Sequence, residues 1–172
     1  MNHTLLPGSR FASRLGVFCG LAFALLFAAV PRASALSLIN HVEGSGTNTL
    51  TSVVTNPDGT VSIEAEQAGT LSGFGTFTGR FAYTALPSPT GFILVGSGEI
   101  TNTRGEHLSL LVAITETGAD YPFTIDGLIT IIGGTGRFAG ATGALHITGV
   151  DTAEPVDFIH LDGVIVAPGR LL

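Results

Sequence analysis

The chain has 172 residues, with seven arginines, no lysine, thirteen acidic residues and a formal net charge of −6. Such a surface repels phosphate, and the counterion release that drives nucleic-acid binding needs clustered cations that are absent here, so neither nucleic acid nor anionic lipid is expected as a partner. Tryptophan is missing and tyrosine is limited to Tyr83 and Tyr121, which argues against an outer-membrane barrel with its aromatic girdles.

Residues 1–35 read as a cleaved signal peptide. Arg10 and Arg14 supply a positive start, Leu15 to Val30 an apolar run, and Ala33-Ser34-Ala35 a small-residue cleavage site. That run is shorter than the roughly 20 residues needed to span a bilayer. Cys19 sits inside the run and not beside the cleavage point, so lipidation is not expected. It leaves with the signal, and the mature chain has no thiol or disulfide. Residues 36–172 then form one domain with four arginines against thirteen carboxylates, a formal charge of −9. This domain is expected in the periplasm or outside the cell, with no membrane contact after cleavage.

From residue 36 onward the chain alternates polar and apolar residues, is rich in Thr, Val, Ile and Phe, and is punctuated by Gly and Pro, the pattern of an all-β domain. A short strand is expected at 36–42. Asn56-Pro57-Asp58-Gly59 marks a turn between strands at 47–55 and 60–68. Further strands are expected at 70–86, 91–101, 106–117, 121–132, 138–150 and 156–166. Connections this short allow antiparallel pairing only, and an eight-stranded meander removes its exposed edges by closing into a barrel.

Period-two counting assigns the inward face. Phe77, Phe81, Tyr83, Leu110, Val112, Phe123 and Ile125 are expected to line an apolar lumen that holds a small hydrophobic ligand, with Gly96 and Gly98 leaving space for it. Leu145, Ile147, Ile159, Leu161 and Ile165 face inward from the last hairpin. Glu99, Glu106 and Glu116 fall near strand ends, and Glu116 continues the inward register of Leu110, Val112 and Ile114. Glu99 and Glu116 are the candidate acids or bases, with Tyr83 as a hydrogen-bonding partner, because a carboxyl at the mouth of an apolar barrel has its pKa raised.

If residues 151–155 form the last hairpin loop, Val150 pairs with Val156. His146 then lies opposite His160 with Asp162 diagonal to them. Two imidazoles and a carboxylate suit a divalent ion, yet their inward neighbours put the histidines on the outer face without further ligands, so neither metal nor cofactor is expected. The run Gly133 to Gly143 holds five glycines in eleven residues. A phosphate-binding loop would need a helix after those glycines, whereas a strand pattern follows, and a Walker motif would need a lysine. The run reads as a turn and strand bend. The Gly-Arg-Phe of residues 136–138 loosely echoes that of residues 79–81, as though both made the same corner.

The run GGTGRFAGATGALHITG, with FTIDGLITII before it and FIHLDGVI after it, resembles the closing hairpin region of allene oxide cyclase and dirigent-like barrels, especially small secreted bacterial proteins with a similar GRFxGATG segment. The segments NPDGTVSIEA and GTFTGRFAYT fit the same layout. The resemblance implies an antiparallel eight-stranded barrel, often trimeric, with an apolar cavity. Its plant members steer cyclisation or radical coupling of hydrophobic substrates by holding a reactive conformer. No catalytic residue of the family is matched to a position here. Three functions follow as expectations: binding of a hydrophobic ligand, isomerisation or cyclisation by confinement, and a structural or adhesive barrel with a packed lumen and an outer apolar patch around Phe158, Val164 and Val166.

Overall fold

The computed structural model describes residues 37–152 and 156–168, so the expected signal peptide lies outside the described residues. Eight antiparallel strands pair in chain order and close on themselves: β1 (Ser37–Thr55), β2 (Val61–Leu71), β3 (Gly75–Ser88), β4 (Gly91–Asn102), β5 (His107–Thr117), β6 (Phe123–Gly134), β7 (Thr142–Asp151) and β8 (Val156–Pro168). The barrel expected from the patterning is the barrel observed.

Closure rests on β1, which is one long strand where a short strand and a separate later one were expected. Its first part, from Ser37 to Thr49, pairs with β8, and its second, from Gly44 to Thr55, pairs with β2, so the middle is bonded on both sides. Glu43-Gly44-Ser45-Gly46 lies between the two expected strands, and a neighbour on each edge supplies the ladder that holds this glycine-rich stretch extended. A bulge between Leu50 and Ser52 shifts the register near the end of the strand.

The turns divide into two sets at opposite ends. At one end, Asn56 to Thr60 forms the expected turn: Gly59 has φ +85°, its N–H donates to Asn56 O at 3.0 Å, and Asp58 Oδ1 accepts from the Thr60 N–H at 3.0 Å and its hydroxyl at 2.7 Å. At the other end, the expected strand over 70–86 is interrupted. β2 runs on to Leu71, and residues 72–74 turn Phe74 into the barrel, where it is 3% exposed.

The glycine run also turns at that end. Gly136–Phe138 is a single 3-10 turn, and β7 starts only at Thr142. Gly136 has φ +60°, and a Cβ there would lie 2.8 Å from Glu106 Oε1, so the residue must be glycine for both backbone and space. The echo with residues 79–81 does not extend to structure, because those residues run extended in the middle of β3. No shared corner exists. Phe138 meets Phe74 edge to face at 5.0 Å, and the two rings plug the barrel.

The last hairpin differs from the expected register by two residues. Val150 pairs with Phe158, His146 with Asp162, and Thr148 with His160. The loop is therefore longer than residues 151–155 on the β8 side, and the two histidines are not opposite each other. Of the expected outer patch, Phe158 is 68% exposed, while Val164 and Val166 are half-buried.

Candidate functional site

A cavity of about 250 Å³ occupies the half of the barrel away from the Phe74–Phe138 plug. Leu50 of β1, Ile63 of β2, Ala85 of β3, Phe92 and Leu94 of β4, Ile114 of β5, Ile125 of β6, Ile147 of β7 and Ile159 of β8 form its apolar wall. It reaches the surface, since Val53 and Tyr121 also line it and are more than half exposed. An apolar cavity of about 150 Å³ holds benzene, and drug-sized ligands take about 300 to 1,000 Å³, so this one suits a molecule slightly larger than one ring.

The floor is aromatic. Phe81 and Tyr83 stack with centroids 5.8 Å apart, and they lie over Gly98 and Gly96 of the next strand, where an added Cβ would come within 2.3 Å of the Phe81 ring and 2.9 Å of the Tyr83 ring. The space expected from those two glycines is therefore filled by the rings. Below that level Phe77, Leu110 and Ile131 are packed and nearly inaccessible.

One polar line crosses this apolar chamber. Gln67 Nε2 donates to Tyr83 Oη at 3.1 Å and to Asn48 Oδ1 at 3.2 Å, and Asn48 Nδ2 donates to Asp157 Oδ2 at 3.3 Å. Gln67 and Asp157 are buried, 5% and 4% exposed, and burying such groups costs free energy unless they are hydrogen-bonded, which the line achieves for most of their atoms. Asp157 Oδ1 is the exception, buried without a hydrogen bond of good geometry. Asp151 and Glu116 join Asp157 on the cavity lining.

Burial and neighbouring charge disfavour ionisation of two of these carboxyls, Glu116 and Asp157. Burial pushes Glu116 up to about 7, and the Asp151 and Asp157 carboxylates push the same way. Asp157 is also raised, chiefly by burial, with the Asn48 hydrogen bond opposing and the adjacent Asp151 reinforcing. Burial raises Tyr83 far more than its bond from Gln67 lowers it, and Tyr121 is raised by burial and then by the same carboxylates. Near neutrality the rim can hold protons, and the phenols remain neutral.

Of the residues expected to line the site, Tyr83, Ile125 and Glu116 do so. Phe77, Phe81, Leu110 and Val112 are buried beneath or around the floor, and Phe123 is buried among Phe92 and Tyr121 at the mouth, in edge-to-face contact with both. Glu99 is elsewhere. It is exposed on the outer face of β4, 3.8 Å from His107, because its neighbours Gly98 and Ile100 take the inward positions. Glu106 is at the closed end. Arg137 clamps it there through both guanidinium and backbone, with Arg137 Nε 3.0 Å from Oε1, one terminal nitrogen 2.9 Å from Oε2, and the Arg137 N–H 3.1 Å from Oε1. With Asn102 Nδ2 donating at 3.0 Å as well, Glu106 is held at about 2.

Asn48, Gln67, Asp151 and Asp157 were not anticipated. The signal for two of them was present: Asp157 shares the parity of Ile159 and Leu161, and Gln67 that of Ile63 and Ala65, so both point inward. On the outer face, His146 Nε2 lies 3.0 Å from Asp126 Oδ2, and His41 lies 3.2 Å from Asp162 and 3.6 Å from Glu43. His41, Glu43 and Asp162 place ligand atoms within 4.8 Å of one another, all exposed to water. The histidines expected to face each other in the last hairpin do not: Asp162 lies across from His146, and His160 lies across from Thr148.

Among solved structures, the chain matches that of a pterocarpan synthase dirigent protein with a TM-score of 0.58 and 16% identity over 77% of this chain and 90% of that one. The fold is dirigent-like. At this identity the likeness extends to the architecture, an eight-stranded antiparallel barrel that spans nearly the whole of the other protein. No family model and no curated protein matches the sequence.

Proposed function

We propose that this dirigent-like barrel, once exported and freed of residues 1–35, binds one small and largely apolar molecule in the cavity at its open end. The observation that carries the reading is the cavity itself: Leu71, Phe77, Ile100, Leu108 and Ile131 are packed and nearly inaccessible, yet the open end keeps about 250 Å³ walled mainly by aliphatic side chains and open to the surface. Leaving such a wall unfilled forfeits packing that the lower half obtains, so an occupant with apolar surface gains that contact on entry. The structural likeness to a protein named as a pterocarpan synthase supports a small organic molecule as occupant.

Glu116 favours a second reading, in which the bound molecule is turned over. A carboxyl held protonated up to about pH 7 beside an apolar chamber can donate its proton to a confined substrate, and Tyr83, fixed by Gln67, can orient an oxygen of that substrate. Isomerisation or cyclisation of a hydrophobic molecule fits these parts. A structural barrel with a packed lumen fits them less well, since the open half is not packed. Self-association, which the family resemblance implies as a trimer, would use the exposed Ile93, Val95, Leu111 and Leu128 on adjoining strands, and sedimentation of wild type against Leu128→Glu tests it.

The binding reading is tested by native mass spectrometry of protein purified from its own host, together with thermal melts in neutral aromatic alcohols. A stoichiometric adduct or a saturable rise in melting temperature is expected, abolished by Ile114→Trp, which fills the cavity. An unfilled chamber that no apolar probe stabilises would overturn it.

A further inference from the structure

Among the described residues, the charged groups that line the cavity are all of one sign. Glu116 from β5, Asp151 from β7 and Asp157 from β8 converge on it, and no arginine or histidine is among its lining residues. Lysine does not occur in the chain. The described arginines are engaged or far away: Arg80 sits on the outer face with Glu66, Arg104 in the turn after β4 at the plugged end, and Arg137 on Glu106. A ligand carboxylate entering here would lose its hydration and meet only like charge.

We infer that the molecule bound in this cavity carries a protonated amine at the end of its apolar body. The inference rests on the binding reading above and names the ligand's class. Asp157 is 4% exposed, lines the cavity, and keeps Oδ1 buried with no hydrogen bond of good geometry. The line from Tyr83 through Gln67 and Asn48 brings a donor to Oδ2 only. The Thr152 N–H and the Asp151 carboxyl also approach Asp157, yet no described residue bonds Oδ1 in good geometry, and an ammonium brings three N–H groups and the opposite charge to it in one group. Phe92 and Tyr121 line the same mouth, and aromatic faces attract cations. The apolar body then lies against Leu94, Ile114, Ile125 and Ile159.

Such binding is linked to pH with a definite sign. The groups facing the ammonium are Glu116, Asp151 and Asp157, with the phenols of Tyr83 and Tyr121 neutral throughout. Glu116 and Asp157 release their protons at higher pH than ordinary carboxyls, so charge complementarity grows as pH rises from 5.5 to 8.

The test compares three probes with one hydrocarbon body, 4-phenylbutylamine, 4-phenylbutan-1-ol and 4-phenylbutyrate, by calorimetric titration into the purified protein. At pH 8 the amine is expected to bind about ten-fold more tightly than the alcohol, and the butyrate most weakly. The amine alone should weaken at pH 5.5. Asp157→Asn should remove the amine's advantage over the alcohol; if that variant does not fold, Glu116→Gln, at a half-buried position, carries the same comparison. An alcohol or butyrate that binds as tightly as the amine overturns the inference and leaves the cavity as a binding site. Failure of all three to bind overturns the binding reading, and the inference with it.

Discussion

The two ends of this barrel are built from the same strands and do opposite things with charge and space. At the closed end, Phe74 and Phe138 fill the lumen, and Glu106 beside them is gripped by Arg137 and Asn102 and held ionised. At the open end the lumen is left unfilled, and burial, reinforced by the Asp151 carboxylate, favours the protonated forms of Glu116 and Asp157. A carboxylate with a cation beside it stabilises a fold, and one without stores free energy that a ligand or a proton can release. Stability is invested at one end and withheld at the other, which is where binding is expected.

The largest expected effect is on packing. Phe138→Ala removes half of the plug and should cost about 3 to 5 kcal/mol in denaturant unfolding, whereas Phe92→Ala, at a half-buried residue on an existing cavity, should cost well under half as much. Equal costs would erase the distinction between the ends.

Next comes the clamp. Glu106→Gln should lose about 1 to 2 kcal/mol at pH 7, because charge-assisted bonds to a partly exposed arginine are replaced by weaker ones. Its folded pKa lies below the unfolded value, so the contribution is complete above about pH 4.5 and fades as pH falls toward 2. Wild type and variant should therefore converge in acid.

Glu116→Gln should do the reverse and stabilise the protein by about 1 kcal/mol at pH 8. Here the folded pKa is raised to about 7 from 4.5: both states are protonated in acid, the unfolded state ionises first, and stability falls as pH climbs between those values. No difference from wild type is expected at pH 4. A variant that is less stable than wild type at pH 8 would mean that Glu116 is satisfied in its ionised form, and that the open end is not strained as described.

The barrel was legible in the sequence because period-two alternation and short Gly and Pro turns leave few other topologies. The inward parity of Tyr83, Ile125 and Glu116 was legible for the same reason. Depth was not. Parity says which face a residue takes and nothing about its level along the barrel axis, so Phe77 and Leu110 were grouped with Ile125 although they lie beneath the floor. Level depends on the stagger between strands, which the bulge in β1 and the two-residue shift between β7 and β8 both alter. That shift also separated His146 from His160. The glycine run was read correctly as a turn, but its job of seating Phe138 and Arg137 depends on Phe74 and Glu106, which are distant in sequence and visible only once the barrel closes.

The most direct measurement is a methyl-resolved NMR titration with a neutral probe such as 4-phenylbutan-1-ol. Saturable shifts are expected at Leu94, Ile114, Ile125 and Ile159 around the open cavity, with Leu71, Ile100, Leu108 and Ile131 at the packed level unmoved. Shifts confined to the outer face, or spread equally over both ends, would contradict a binding chamber at one end of the barrel.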